Sequence, residues 1–246
     1  MKKRVDILLT EKGLCESREK AQRLILAGKV RIGSDRMIMK SSEKFPEDTE
    51  FNIAQPVQYV SRGAYKLLPA LDKYLPDLSG LVAADIGAST GGFTDLMLQR
   101  GAEKVYCIDS GRGQLHGKLR NNPRVLCFEK TNARYLPEDF FKEKLDVMTM
   151  DVSFISVTLL LGRLSHFFKD GAIAFVLIKP QFEAERGEVG KGGVVRDSQI
   201  HDKVIDKVVT YAESECSMKV LEVIPSPIKG PKGNQEFIAV FKYIVL

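Results

Sequence analysis

Four charged residues stand where chemistry could be done. They are Lys66 in Ala64-Tyr65-Lys66-Leu67, Asp151 directly after the apolar run Val147-Met148-Thr149-Met150, Lys179 between Val176-Leu177-Ile178 and Pro180, and Glu236 in Asn234-Gln235-Glu236-Phe237. Two amines and two carboxylates around one crevice would suit proton removal from a weakly acidic hydroxyl. A lysine does this only when neutral. Its ordinary pKa of about 10.4 must fall, by burial or by a second cation, whereas adjacent carboxylates oppose the fall while orienting the amine. Singly, each residue has a plainer reading: Asp151 as a helix cap, Lys179 with its head drawn to the surface, Glu236 paired with Lys232, Lys66 solvated. Their joint placement gives them a chemical sense.

A ligand loop accompanies them. The apolar stretch Leu81 to Ile86 runs into Asp85-Ile86-Gly87-Ala88-Ser89-Thr90-Gly91-Gly92-Phe93, and a helix pattern follows at once. Glycines at a strand-to-helix turn let backbone approach a ligand, at the edge of a parallel sheet where ligands of such folds bind. The next strand ends in Ile108-Asp109, and a carboxylate there can accept both hydroxyls of a ribose. The spacing G-x-x-x-G-G is not the dinucleotide pattern G-x-G-x-x-G, and Asp85, two residues before the first glycine, would repel a pyrophosphate. A cationic, phosphate-free nucleoside such as S-adenosylmethionine fits that charge better. A nicotinamide or flavin site and a purely structural glycine turn remain open on the loop alone. A second glycine cluster, Gly187, Gly190, Gly192 and Gly193, fails as a phosphate loop because Glu185 stands five before Gly190 and Gly192 replaces the required Ser or Thr. It reads as a mobile loop.

The elements that must carry these residues alternate from residue 81 onward. Apolar strands at 81–86, 104–108, 145–150 and 172–178 are interleaved with helices near 92–100, 155–167 and 198–214, the pattern of a mostly parallel, doubly wound α/β sheet. Strands at 218–224 and 235–243 flank a connection rich in proline and glycine, too tight for a helical crossover, so that pair is antiparallel. An amphipathic helix with Leu67, Leu68 and Leu71 precedes the alternation, after a hinge at Ser61-Arg62-Gly63.

The first 55 residues have another character. Helices at 4–14 and 17–27, the second with Ser17 as N-cap and Gly28 as C-terminal cap, lead into short strands at Val30–Ile32, near Ile38 and at Phe51–Ile53, with a turn at Gly33-Ser34; Pro56 closes the module. Of the 246 residues, the first 40 hold 11 basic and 5 acidic side chains, a surplus of 6 against a net charge of +5 for the whole chain, so the remainder sums to about zero. Arg18, Lys20 and Arg23 on a helix, continued by Lys29 and Arg31, would meet phosphates; a solvated helix face is the alternative. Four scattered Cys and three distant His form neither a disulfide framework nor a zinc site, so no metal is expected, and the thiols read as reduced and cytoplasmic. No apolar run reaches the roughly 20 residues that span a bilayer, and the Lys2-Lys3-Arg4 start is interrupted by Asp6 before it can act as a secretion signal. Membrane partners are therefore not expected, and oligomeric state is left open.

Lys66, Asp151, Lys179 and Glu236, in that order, resemble the Lys-Asp-Lys-Glu tetrad of FtsJ-type RNA ribose 2′-O-methyltransferases. The likeness to the TlyA family is closer and nearly full-length: Ser17 to Ala21, Tyr59-Val60-Ser61-Arg62-Gly63, Gly87 to Thr94, Gln114-Leu115, Thr131 to Leu136 and Gly190 to Asp197. The first 55 residues are similar to the αL RNA-binding motif. The resemblance implies an αL module at 1–56, a linker at 57–63, and at 64–246 a Rossmann-like methyltransferase domain with seven strands, one antiparallel. It implies S-adenosylmethionine-dependent 2′-O-methylation of cytidine in ribosomal RNA, the RNA or the ribosomal subunits being the partner. The cofactor would be held by Asp85, Gly87, Ala88, Ser89, Gly91, Gly92, Phe93, Asp109 and Asp151, with Asn132 and Ala133 near the adenine. Lys179 would be the base, Asp151 would orient it, and Lys66 and Glu236 would hold the ribose. Rival readings are a non-catalytic ribosome-assembly factor and, because TlyA-like chains are also described as hemolysins, a membrane-damaging protein.

Overall fold

The computed structural model describes residues 2–33, 36–53 and 59–245 and divides into two compact units, Met1–Gln58 and Tyr59–Leu246. Ser34 of the expected turn, Pro56, and residues 57 and 58 of the expected linker lie outside the described residues.

The first unit runs β1 (Lys2–Arg4), α1 (Val5–Glu11), α2 (Arg18–Leu26), β2 (Val30–Ile32), β3 (Arg36–Met37), β4 (Lys44–Pro46) and β5 (Phe51–Ile53). α2 begins where the Ser17 hydroxyl accepts the Lys20 N–H. It ends at Gly28, which takes φ +65° and so turns the chain until the Lys29 N–H reaches the Leu24 carbonyl, while the Gly28 N–H donates to the Ile25 carbonyl. Val5, Leu9, Ala21, Ile25 and Val30 are fully buried in its core. The pairing of β1 with β4 carries no signal in the sequence, since Lys2-Lys3-Arg4 has no apolar alternation. α1 stops three residues earlier than its periodicity suggests, and Ile38 follows β3 instead of lying within it.

In the second unit, α3 (Ala64–Tyr74) precedes β6 (Val82–Ile86), α4 (Gly92–Gln99), β7 (Lys104–Ile108), α5 (Gly117–Arg120), β8 (Val125–Phe128) and β9 (Leu145–Met150). There follow α6 (Thr158–Leu164), β10 (Phe168–Ile178), α7 (Pro180–Glu183), α8 (Ser198–Glu215), β11 (Met218–Pro225) and β12 (Phe237–Tyr243). The seven strands form one sheet in the order β11-β12-β10-β9-β6-β7-β8. β6 to β10 pair in parallel, whereas β12 is antiparallel to both β10 and β11. Helices cover both faces, which is why the central strands read as unbroken apolar runs. Along β10, Phe175 and Leu177 enter one core and Ala174, Val176 and Ile178 the other.

Four boundaries differ from the sequence pattern. β8, the seventh strand that the resemblance implies, has no counterpart in the apolar pattern: its Leu126 is exposed and the strand has only four residues at the sheet edge. β10 starts at Phe168 because a register shift before Ile173 takes in Lys169-Asp170-Gly171. α6 is confined to 158–164, and residues 165–167 continue it as a 3₁₀ turn. The last strand opens at Phe237, leaving Glu236 just before it. Residues 59–63, expected within a linker, fold with the second unit: Tyr59 is buried in its core and the Val60 N–H donates to the Asp95 carboxylate at 2.8 Å.

Candidate active site

Parallel register brings the ends of four strands to one edge. Ile86 pairs with both Ile108 and Met150, so Gly87, Asp109 and Asp151 emerge side by side; Lys179 follows the end of β10, beside β9. α3 supplies Lys66, and the turn before β12 supplies Glu236. Gly92 makes the approach of α3 possible, since a Cβ there would lie 2.4 Å from Ser61 Oγ and 2.9 Å from the Ala64 nitrogen. Gly87 is equally constrained: at φ +79° a Cβ would stand 2.6 Å from the Asp151 carbonyl oxygen.

The four charged residues meet as two linked pairs. Lys179 Nζ lies 2.5 Å from Asp151 Oδ1, and Lys66 Nζ lies 2.7 Å from Glu236 Oε2 and 3.8 Å from Asp151 Oδ2. The Glu236 side chain is fully buried and that of Lys179 is 8% exposed. The plain readings for single residues therefore give way; Glu236 pairs with Lys66, not with Lys232.

These residues line a cavity of about 650 Å³ together with Asp85, Gly87, Ala88, Ser89, Gly92 and Phe93. An adjoining cavity of about 480 Å³ is lined by Asp109, Asn132 and Ala133, and it shares Gly87, Ser89 and Asp151 with the first. Gly91 shapes the loop at φ +92° but lines neither cavity.

Two expected ligand contacts have local occupations. Asp85 is buried and accepts the Thr94 N–H and hydroxyl on one oxygen and the Thr149 hydroxyl on the other. Burial, countered only in part by those hydrogen bonds, pushes its carboxyl up to about 6. Asp109 accepts the Ser89 N–H at 2.7 Å and the Gly111 N–H at 2.7 Å, so it braces the glycine loop and keeps lone pairs for a second acceptance. The Asn132 side chain accepts the Arg134 N–H and starts a 3₁₀ turn that presents Ala133.

Several supporting residues escaped the sequence reading. Glu183, buried on α7 four residues after Lys179, accepts from Ser156 Oγ at 2.6 Å and the Val157 N–H at 2.7 Å, tying down the segment that follows Asp151. Asn234 accepts the Val195 N–H and donates to the Gly193 carbonyl, so the second glycine cluster is a turn anchored to the wall of the cavity. Ser153 accepts from Lys179 Nζ at 2.9 Å. The context Asp151-Val152-Ser153 was the only available signal for it.

In the first unit the basic candidates separate. Arg18 donates to buried Asp6 at 3.2 Å and Lys20 pairs with Glu16 at 2.8 Å, while Arg23 and Arg31 are exposed and Lys29 half-buried. Asp6 also takes both nitrogens of an Arg4 fork and the Gln22 amide. Burial alone would raise its pKa, but hydrogen bonds from Arg4, Gln22 and Arg18 outweigh it and hold the carboxyl well below the usual range.

A doubly wound sheet with one reversed strand, a glycine loop at its carboxyl edge and a Lys-Asp-Lys-Glu cluster beside it define an RNA methyltransferase-type domain. Residues 59–243 match the FtsJ-like methyltransferase model and residues 3–34 match the S4 domain model. The chain belongs to the FtsJ-like methyltransferase family. It is 44% identical over 240 residues to a Bacillus subtilis protein carrying the provisional name rRNA methyltransferase YqxC, covering 96% of this chain and 84% of that one. It is 40% identical over 236 residues to the 16S/23S rRNA (cytidine-2'-O)-methyltransferase TlyA of Mycobacterium tuberculosis, covering 95% and 87%. A solved structure from Streptococcus thermophilus, provisionally described as a hemolysin, superposes with a TM-score of 0.75 at 42% identity, covering 99% of this chain and 89% of that one. Among the described residues no helix is long and apolar enough to cross a membrane.

Proposed function

We propose that this protein methylates the 2′-hydroxyl of cytidine in ribosomal RNA, using S-adenosylmethionine. Family membership supports the methyltransferase class, and the name of the Mycobacterium tuberculosis relative supports the base and the RNA. The observation that carries the reading is the Lys179–Asp151 pair, 2.5 Å apart, with Asp151 also lining the adjoining cavity.

The residues present fit the cofactor. A buried carboxylate, Asp85, has no cationic partner among the described residues, so a sulfonium or ammonium group nearby offsets its charge. Gly87 lines both cavities with backbone alone, and Asp109, Asn132 and Ala133 line the neighbouring cavity for a ribose and a planar base. Ala88, Ser89, Gly91, Gly92 and Phe93 shape the loop between them. When bound, S-adenosylmethionine supplies an electrophilic methyl group whose sulfur leaves with the bonding electron pair. Lys179, in its neutral form, takes the hydroxyl proton as the oxygen forms its bond to carbon. Asp151 holds that amine in place, and the Lys66–Glu236 pair hydrogen-bonds the ribose. Holding the reactants in line supplies much of the rate gain and proton removal a further 10²- to 10⁴-fold as typical magnitudes, roughly.

The module at 1–56 supplies RNA affinity through Lys20, Arg23, Lys29 and Arg31, with Arg18 divided between phosphate and Asp6. Such contacts are salt-dependent and carry little sequence information, so selection rests on folded RNA shape and an accessible nucleotide. Four free cysteines and a ribosomal substrate support a reduced, cytoplasmic setting. Lys179→Ala, assayed with labelled S-adenosylmethionine and ribosomal RNA, is expected to abolish most turnover while binding cofactor normally; near-normal turnover overturns the role given to Lys179. Removing residues 1–55 is expected to weaken RNA binding and spare cofactor binding. Unchanged RNA affinity would contradict the role of the module.

A further inference from the structure

The two cavities share five lining residues, Gly87, Ser89, Asp151, Ser153 and Phe154. On the methyltransferase reading, on which this inference rests, the methyl group and the acceptor oxygen meet beside them. Two of the five, Asp151 and Ser153, place a side-chain oxygen on the Lys179 amine, at 2.5 and 2.9 Å. A neutral amine has two N–H bonds and one lone pair at roughly tetrahedral positions. If the two N–H groups go to Asp151 and Ser153, the lone pair is left for the incoming hydroxyl. With Asp151 alone, the amine can rotate about its carbon bond and present an N–H to the substrate instead.

We propose that Ser153 is a positioning residue of the reaction, fixing the rotation of the Lys179 amine so that its lone pair faces the ribose hydroxyl. The backbone around it is built to hold this pose. Phe154, the next residue, adopts φ +66°, a left-handed conformation that is unfavourable for an aromatic residue and persists only where the surroundings enforce it. Glu183 ties down the chain just beyond it by accepting from Ser156 Oγ and the Val157 N–H, the Phe154 ring packs on Phe182 of the same short helix, and that helix follows directly on Lys179. The hydroxyl and the amine are therefore carried on two segments that one buried carboxylate joins. Ser153 itself is exposed, so its removal does not open a core void. Its hydroxyl is uncharged, and it restricts the amine without adding the opposing effect of a third carboxylate.

The test is single-turnover methyl transfer by the full chain to purified ribosomal RNA with labelled S-adenosylmethionine. Ser153→Ala is expected to lower the transfer rate by about tenfold or more, with cofactor and RNA affinities changed less than twofold. Ser153→Thr keeps the hydroxyl and is expected to recover most of the rate. A Ser153→Ala rate within twofold of the parent overturns the proposal, as does a loss explained by weaker cofactor binding or a Thr variant as slow as the Ala variant. Lys179→Ala is run alongside. If it keeps the parent rate, the assignment of the base fails; if it is inactive while Ser153→Ala is normal, only the role of Ser153 fails.

Discussion

Asp6 in the first unit and Asp85 in the second are both buried carboxylates, and their surroundings treat them in opposite ways. Around Asp6 stand Arg4 from β1 and Arg18 and Gln22 from α2, so the charge is matched inside the unit and ties three elements together. Around Asp85 stand hydroxyl and amide donors from Thr94 and Thr149 and no cation among the described residues. Burial raises both; hydrogen bonds from Arg4, Gln22 and Arg18 reverse the sign for Asp6, and burial prevails for Asp85, whose pKa rises from 3.8 to about 6. A closed cluster of charge belongs to a structural core. An unmatched one on the wall of a cavity would be offset by a ligand of the opposite sign.

The largest expected effect is on the closed cluster. Asp6→Ala leaves two guanidinium groups without their common partner; because both arginines are partly exposed, the loss of first-unit stability should be about 3 kcal/mol, at the low end for a broken buried pair. Hydrogen exchange of first-unit amides measures it. In the parent, the Asp6 contribution is complete above the unfolded pKa near 4 and lost as pH falls through the lower folded value. Asp85→Asn should go the other way. A folded pKa about two units above the unfolded one means that the ionised group costs roughly 3 kcal/mol at neutral pH, so the amide should stabilise the unliganded protein by about 2 kcal/mol at pH 7. That gain should shrink as pH falls through about 6, where the parent takes up its proton, and a destabilised Asn variant at pH 7 would break the contrast.

A smaller effect sharpens it. If Asp85 offsets a cationic cofactor, S-adenosylmethionine affinity in the parent should weaken by up to about fourfold, roughly 0.8 kcal/mol, between pH 7.5 and 5.5, and stay nearly flat in Asp85→Asn. Calorimetric titration at the two pH values reads this. The smallest effect concerns RNA: Arg23→Ala should reduce the slope of log affinity against log salt by about 1 without altering first-unit stability. Arg18→Ala should do both, because Arg18 also serves Asp6.

Much of this was legible in the sequence because periodicity and charge are local properties. Strands 104–108 and 145–150 and the Ser17 cap lie where apolar runs and capping chemistry put them. Strand β8 was not legible, because four residues at a sheet edge, with Leu126 exposed, have neither the length nor the alternation to stand out. Asp151 and Lys179 could be chosen by their positions at strand ends, since parallel strands deliver their carboxyl ends to one edge, whereas Lys66 and Glu236 were chosen by resemblance. The pairing within the tetrad could not be read this way: the bond of Lys66 to Glu236 spans 170 residues and depends on how α3 meets the turn before β12. The roles of Asp6, Glu183 and Asn234 were equally hidden, because a buried polar residue in a linear sequence looks like a surface one until its partners are known.

The central claim is that the Lys179–Asp151 pair performs methyl transfer to a cytidine ribose. Mapping of 2′-O-methylation on ribosomal RNA, incubated with S-adenosylmethionine and either the parent or Lys179→Ala, tests it most directly. The account predicts a 2′-O-methylated cytidine with the parent and little or none with the variant, although both bind the cofactor. Absence of methylated cytidine with the parent, or equal methylation by the variant, would contradict it.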